Sequence, residues 1–241
     1  MKNLLTSIVA LLIISANVNA QMFSKKIKGD GDIITKTRTV TDYDKIGVAG
    51  AFDVKLIKGK EGKITIKADK NLMEYIITEV KNGNLKIKTK KGFNIRSSKT
   101  IVITIPFKDI SAVSLAGSGD VYSDDVIDAS DLKLSLAGSG DFNLTVSTKN
   151  LTSSIAGSGN MTLKGDSNEF TCSIAGSGNI NGYGLKASVA TVKIAGSGNV
   201  KVHATNEIHA RTAGSGNIYY TGNPSVEKTS SAGSGSIKNK G

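Results

Sequence analysis

The chain has 241 residues, a formal net charge of +11, a single cysteine, no tryptophan, 2 prolines and 27 glycines. One cysteine excludes an intramolecular disulfide, so stability has to come from burial and backbone pairing. Many glycines with few prolines fit a chain of many turns between well-paired strands.

The first segment reads as a secretory signal peptide. Lys2 supplies a short positive start, Leu4 to Ile14 is an apolar run broken only by Thr6 and Ser7, and Val18-Asn19-Ala20 offers small residues before Gln21. That order predicts export with cleavage after Ala20. The run is about half the ~20 residues that a membrane span needs, and no cysteine follows the cut to take a lipid anchor. Residues 21–42 form a lead-in to the folded part.

Residues 43–110 read as a basic, β-rich part. From Gln21 to Ile110 there are 20 Lys and Arg against 10 Asp and Glu, whereas Ser111 to Gly241 holds 10 of each. Ile64-Thr65-Ile66 alternates with lysines, and Leu85-Lys86-Ile87-Lys88 does so after Asn82-Gly83, a strong hairpin turn signal. Asn71 to Val80 reads as a helical turn or a strand entry. Ile101 to Ile105 predicts a core strand that ends at Pro106. Val48-Ala49-Gly50-Ala51-Phe52-Asp53-Val54 looks like a worn copy of the corner that dominates the rest of the chain.

That corner defines residues 111–241. Ala-Gly-Ser-Gly starts at Ala116, Ala137, Ala156, Ala175, Ala195, Ala213 and Ala232, at spacings of 21, 19, 19, 20, 18 and 19. Six copies continue into an acidic or amide residue: Gly117-Ser118-Gly119-Asp120, Gly138-Ser139-Gly140-Asp141, Gly157-Ser158-Gly159-Asn160, Gly176-Ser177-Gly178-Asn179, Gly196-Ser197-Gly198-Asn199 and Gly214-Ser215-Gly216-Asn217. The seventh continues into Ser236. Apolar residues precede the corner at Leu115, Leu136, Ile155, Ile174 and Ile194, and follow it at Val121, Phe142, Met161, Ile180, Val200 and Ile218. Polar residues alternate with them, which is the period of strands with one buried face.

Each unit is then a strand, a tight corner, a second strand and a return. One unit cannot bury its apolar face alone, and stacking can. The sequence predicts an all-β parallel β-helix or solenoid of ~19-residue coils, with seven corners spanning roughly 29 Å at the strand spacing. Both corner glycines are expected at positive φ, and the Asp or Asn is expected to form a ladder. Gly165-Asp166-Ser167-Asn168 and Thr205-Asn206-Glu207 are expected to absorb the differences in spacing. Thr229 and Ser231 replace apolar residues in the last copy, as a capping coil needs. Cys172 is expected in the core.

Several chemistries fit poorly. A nucleophile elbow needs Gly-x-Ser-x-Gly between a strand and a helix, and here identical serines recur with no helix following. A phosphate loop needs a helix N-terminus. His203 and His209, placed in consecutive coils on outward positions, lack a third metal ligand. Calcium-binding β-rolls repeat every nine residues, and here the Asp gives way to Asn from the third copy. Asp124, Asp125, Asp128 and Asp131 form an acidic loop that reads as solvated rather than as a calcium site. Export and the scarcity of aromatics disfavour nucleic acid. The sequence predicts no cofactor.

Phe52-Asp53-Val54, Leu85-Lys86-Ile87, the strand running to Pro106 and the Gly-Ser-Gly-Asp/Asn units resemble, over Tyr43 to Ile237, the bacterial family called putative auto-transporter adhesin, head GIN domain. The signal peptide ending in Ala-Gln looks like those of Bacteroidetes. The resemblance implies a β-helical fold in a cell-envelope or surface setting and supplies no site residues. The expected function is non-enzymatic binding or adhesion to an envelope macromolecule or glycan through a repetitive solenoid face. An anionic lipid or polysaccharide could meet Lys86, Lys88, Lys90 and Lys91. The alternatives are a polysaccharide-active β-helix enzyme and a structural or signalling periplasmic module.

Overall fold

The computed structural model describes residues 24–241; the expected signal peptide and the expected cleavage site lie outside them. In chain order the strands are β1 (Lys25–Lys28), β2 (Ile33–Thr39), β3 (Lys45–Gly50), β4 (Phe52–Lys58), β5 (Lys63–Asp69), then a 3-10 turn (Lys70–Tyr75), β6 (Ile76–Lys81), β7 (Asn84–Thr89), β8 (Phe93–Arg96), β9 (Ile101–Phe107) and β10 (Ala112–Gly117). The long coils follow: β11 (Val121–Gly138), β12 (Asp141–Gly157), β13 (Asn160–Gly176), β14 (Asn179–Gly196) and β15 (Asn199–Gly214), closed by β16 (Ile218–Thr221), β17 (Val226–Ala232) and β18 (Ile237–Asn239). The protein is a parallel β-solenoid of about 7 turns. No helix among the described residues is long and apolar enough to cross a membrane.

One coil shows how the sequence closes on itself. In β12, Phe142, Leu144 and Val146 are buried, and so are Leu151, Ser153 and Ile155. The inward positions switch from even to odd numbers across the polar bend Ser147–Asn150, so the coil doubles back and places two apolar faces against each other. The next coil repeats this in parallel register, Phe142 beside Met161 and Ile155 beside Ile174. Stacked Leu, Ile, Val and Phe side chains then form one continuous core from Tyr43 to Tyr220. The basic and the neutral parts share that core.

The differences in spacing are absorbed earlier in the coil than the sequence suggests. β12 and β13 stay in step through Gly165, Asp166 and Ser167. The extra residues of β11 bulge between Tyr122 and Val126, and those of β14 between Gly182 and Lys186. The Thr205–Asn206 bend takes up a further shift between β14 and β15. Bulges are tolerated there because they sit where the strand bends, outside the apolar contacts.

The N-terminal end departs from sequential stacking. The worn corner is a true coil: β3 pairs with β10, Gly50 beside Gly117, and β4 pairs with β11, Val54 beside Val121. A further coil made by β7 and β9 lies on its other side, with Ile46 beside Leu85 and Phe52 beside Ile101. Residues 45–58 are thus sandwiched between a coil that follows them and another that follows that one. Antiparallel strands end the stack: β2 on β5, β5 on β9, and β6 on β7. Asn82 and Gly83 take φ of 52° and 70° in the β6–β7 turn, the mirror-image turn that Asn-Gly favours. The segment after Asp69 is both a 3-10 turn and a strand entry. Arg38 holds it by donating to the carbonyls of Met73 and Ile76 at 2.6 and 2.5 Å.

Pro106 does not end its strand. β9 runs on to Phe107, with Pro106 beside Ile57. β5 pairs with β9 only as far as Thr104, so the missing proline N–H falls where β9 has become an edge on that side.

The core holds one polar misfit. Ser153 is fully buried between Leu134 and Cys172, and its Oγ has no hydrogen-bond partner. An unpaired buried hydroxyl costs about 1–3 kcal/mol. Ser153→Ala is therefore expected to raise stability by about 1 kcal/mol, read as a higher midpoint in thermal unfolding; a lower midpoint would show that the hydroxyl has a partner. Cys172 is fully buried, as expected, and burial pushes its thiol far above the ordinary range.

Candidate binding surfaces

The Ala-Gly-Ser-Gly corner is built from two glycines that do different things. The first takes positive φ, 133° at Gly157 and 129° at Gly176. The second, contrary to expectation, does not; it is required because the backbones touch. A Cβ on Gly159 would lie 2.0 Å from the carbonyl oxygen of Gly140 and 2.7 Å from Leu136 Cδ2. The Gly138 carbonyl accepts from the N–H groups of Ser158 and Gly159 at 2.9 and 3.1 Å, and the same pair of bonds recurs one coil on. Ser158 itself faces solvent.

The residue after the corner forms a directional ladder. Asp120 N–H donates to Asp53, Asp141 N–H to Asp120, and Asn160 N–H to Asp141, each through Oδ1. From Asn160 on, the side-chain amide also donates to the preceding rung: Asn160 to Asp141 at 3.0 Å, Asn179 to Asn160 at 2.9 Å, Asn199 to Asn179 at 3.0 Å, and Asn217 to Asn199 at 3.0 Å. At Asn179 this is the bond that makes the rung, because its backbone N–H donates to the Gly159 carbonyl instead. Ser236 closes the line by donating to Asn217. A carboxylate only accepts, so Asp suits the starting end and a hydroxyl suits the finish. Burial and the neighbouring Asp120 charge raise the Asp53 carboxyl above its ordinary value, against the lowering effect of the Asp120 N–H.

The remaining candidates are separated in space. His203 and His209 lie in one strand, β15, not in consecutive coils; His203 Nδ1 meets Thr221 Oγ1 at 2.9 Å and His209 Nε2 meets Glu207 at 3.1 Å. Six residues apart, they fall within one coil, and both lie between inward positions on its outer face, as expected. In the acidic loop, Asp124 pairs with Lys55 at 3.1 Å, Asp128 with Lys58 at 2.8 Å, and Asp125 accepts from the Lys58 N–H. Asp131 accepts from Asn150. Among the described residues no group of three His, Cys, Asp or Glu side chains converges as a metal site.

The four lysines sit in three different surroundings. Lys86 and Lys88 lie on the outer face of β7, and Lys88 pairs with Glu79 at 2.6 Å. That hydrogen bond, with the Lys88 charge, holds the Glu79 carboxyl below its ordinary range. Lys90 lies over the Phe93 ring, and Lys91 lines a cleft at the corner edge of the N-terminal coils.

Two surfaces escaped the sequence reading. The first is a shallow trough of about 570 Å³ across five coils, lined by the exposed Ala116, Ala137, Ala156, Ala175 and Ala195 and by Ser135, Ser154 and Ser173 beside them. The alternation held the signal: the residues between inward positions are the small Ser114, Ser135, Ser154 and Ser173 in the first four copies, with Lys193 in the fifth. The second gathers Tyr183, Lys201, Tyr219 and Lys240 on the outside of the last coils, with each lysine over a ring at 5.8 and 5.7 Å. Tyr183 is exposed because it rides on the β14 bulge; Tyr220 points inward, as alternation requires.

Known proteins place this architecture. A putative adhesin from Bacteroides fragilis superposes with a TM-score of 0.85 at 26% identity, over 89% of this chain and 100% of its own. A protein from Parabacteroides distasonis named putative lipid binding protein gives 0.75 at 29% identity, over 90% and 100%. A putative adhesin from the same species gives 0.73 at 26% identity, again over 90% and 100%. No curated protein matches. The model of the family described as "Putative auto-transporter adhesin, head GIN domain" matches residues 42–224, which takes in β3 to β16 and the ladder from Asp53 to Asn217, and the chain belongs to that family.

Proposed function

We propose that this protein is a non-enzymatic, exported binding module of the cell envelope, placed in the periplasm or at the cell surface. It holds a surface macromolecule or glycan against its solenoid. The trough carries this reading. Repetition makes its floor flat and rigid, its walls alternate alanine methyls with serine hydroxyls, and it runs across five coils, a shape suited to an extended polymer rather than a compact substrate. Hydroxyl rows offer donors and acceptors at the strand spacing of ~4.8 Å. Its single ionisable group is Lys193, whereas glycoside hydrolysis uses a pair of carboxylates. The adhesin names of the family and of the Bacteroides fragilis protein agree with binding. The lipid-binding name of a relative keeps an envelope lipid as the rival partner.

Filling the trough tests it. Ala137→Gln with Ala175→Gln places two larger uncharged side chains on exposed positions of non-adjacent coils. Adsorption to purified envelope polysaccharide from the producing bacterium is expected to weaken about tenfold, the effect of roughly 1.4 kcal/mol, with the thermal midpoint kept. Adsorption unchanged by the substitutions would remove the trough from the function, and no adsorption by the parent protein would remove the function itself.

A further inference from the structure

The coil made by β7 and β9 lacks the tight corner of its neighbours. Lys88 lies beside Ala49 and Ile101 beside Phe52, so the chain between Thr89 and Ile101 stands where other coils spend two or three residues. Instead, residues 90–100 leave the stack, and β8 within them pairs in parallel with β1 to make a two-stranded flap. Backbone bonds from Lys25 to Gly92 and from Gly29 to Arg96 close both ends of it. The flap overhangs the corner line and leaves a cleft of about 1530 Å³.

Its walls differ in charge. Lys26, Lys91, Arg96 and Lys99 line the flap side, and Asp53 and Asp120 line the corner side. Residues 25–28 and 90–100 contain no acid, and among the described residues none of those four cations forms an ion pair. The two carboxylates are the first rungs of a ladder that uses asparagine from Asn160 onward. Unpaired guanidinium and ammonium groups suit carboxylate or phosphate groups; carboxylates opposite them accept from hydroxyls.

We infer that this cleft binds an acidic saccharide, its anionic groups on Lys26, Lys91, Arg96 and Lys99 and its hydroxyls on Asp53 and Asp120. An anionic lipid headgroup would satisfy the cations as well, but the large exposed hydrophobics among the described residues are Val126 and Tyr183, and neither lines the cleft. Of the larger apolar residues that do line it, Phe52 and Ile101 are buried and Phe93 and Ile95 are only half-exposed, a weaker anchor for a membrane than the four cations are for an anionic sugar. The inference rests on the envelope-binding reading above for the setting, and it uses no residue of the trough.

The test is calorimetric titration of the mature protein with an oligogalacturonate and with a neutral gluco-oligosaccharide of the same length. Vesicles containing phosphatidylglycerol form a third arm. The oligogalacturonate is expected to bind, and the neutral oligosaccharide is not. Raising ionic strength from about 0.1 M to about 1 M, which shortens the Debye length from ~10 to ~3 Å, is expected to weaken binding. Lys91→Glu with Arg96→Glu is expected to weaken it about tenfold or more with an unchanged melting profile. Lys99→Gln is expected to give a smaller loss in the same direction. The trough variant Ala137→Gln with Ala175→Gln is expected to bind the oligogalacturonate normally, which separates this site from the trough. Equal binding of the acidic and neutral oligosaccharides would overturn the inference. So would full affinity in the charge-reversed protein, or binding to the vesicles alone.

Discussion

Replacing Gly157 with valine is expected to cost about 4 kcal/mol or more, while Ser158→Ala one residue away stays within about 0.5 kcal/mol. Gly157 has φ of 133°, and a Cβ on it would lie 2.3 Å from the Gly138 carbonyl oxygen. The valine therefore meets backbone strain of about 1–3 kcal/mol and must also push apart two coils whose corners are hydrogen-bonded at 2.9 and 3.1 Å. Ser158 is exposed and contributes its backbone N–H to that contact, which alanine keeps. For a domain of this size the difference corresponds to roughly 10 °C in thermal midpoint. A serine change as damaging as the glycine change would mean that the hydroxyl, not the close approach, organises the corner.

The second large effect is expected at Asp69. Its buried carboxylate accepts from Gly31 N–H at 2.9 Å, Ser98 N–H at 3.0 Å, and the hydroxyls of Ser97 and Ser98, both at 2.5 Å. It thereby ties the end of β5 to the β1–β2 connection and to the segment after β8, which fixes the flap. Gly29 lets the chain pass, since a Cβ there would sit 2.4 Å from the carboxyl group. Asp69→Asn trades an acceptor for an amide that points its own hydrogens at fixed donors, so a loss of about 3 kcal/mol is expected. Burial raises this carboxyl's pKa, but the donated bonds from Ser97, Ser98 and Gly31 outweigh burial and hold it well below the usual range. A carboxyl depressed in the folded state contributes stability above its unfolded value of about 3.9, and that contribution fades as pH falls toward the folded value. The parent protein is thus expected to lose stability on acidification below about pH 4, and the Asn variant to show a flatter acid limb in denaturant titrations at successive pH values. Parallel acid limbs would show that Asp69 is not the group responsible.

Much of the architecture was legible because it is periodic. Seven corners at near-constant spacing, with apolar residues at alternate positions around them, define the coil and its stacking direction. The Asn82-Gly83 turn and the worn corner at Val48–Val54 carried local signals of their own. What the sequence hid was non-local. Nothing in Leu85–Ile87 indicates that it lies beside Ile46–Val48, because parallel pairing between distant segments leaves no turn chemistry to read. The flap was equally silent, since Lys90 to Thr100 reads as a basic linker until β1 is seen beside it. The second corner glycine looked like another turn residue; only the 2.0 Å approach at Gly159 separates contact from conformation. The sequence also did not show that Lys86 and Lys88 lie on one face of β7 while Lys91 lines the cleft beyond the sheet.

The sandwiched coil at the N-terminal end also sets an order of assembly. From β11 onward each coil pairs with the next one 17–21 residues away, so the array closes like a zipper with short, nearly equal loops. The coil of residues 45–58 binds partners 67 residues away, as between Asp44 and Ser111 or Leu56 and Ser123. Closing the longer loop costs about 1 kcal/mol more in chain entropy. It also cannot happen until residues 84–123 are present. A chain that emerges N-terminus first can pair β3 with β7 and β4 with β9, 39 and 49 residues apart, before the repeats appear, and the first true repeat then closes the remaining edge of that coil. Basic side chains on the waiting strands keep their open edges apart during that interval, a use of the N-terminal charge that precedes any encounter with a ligand.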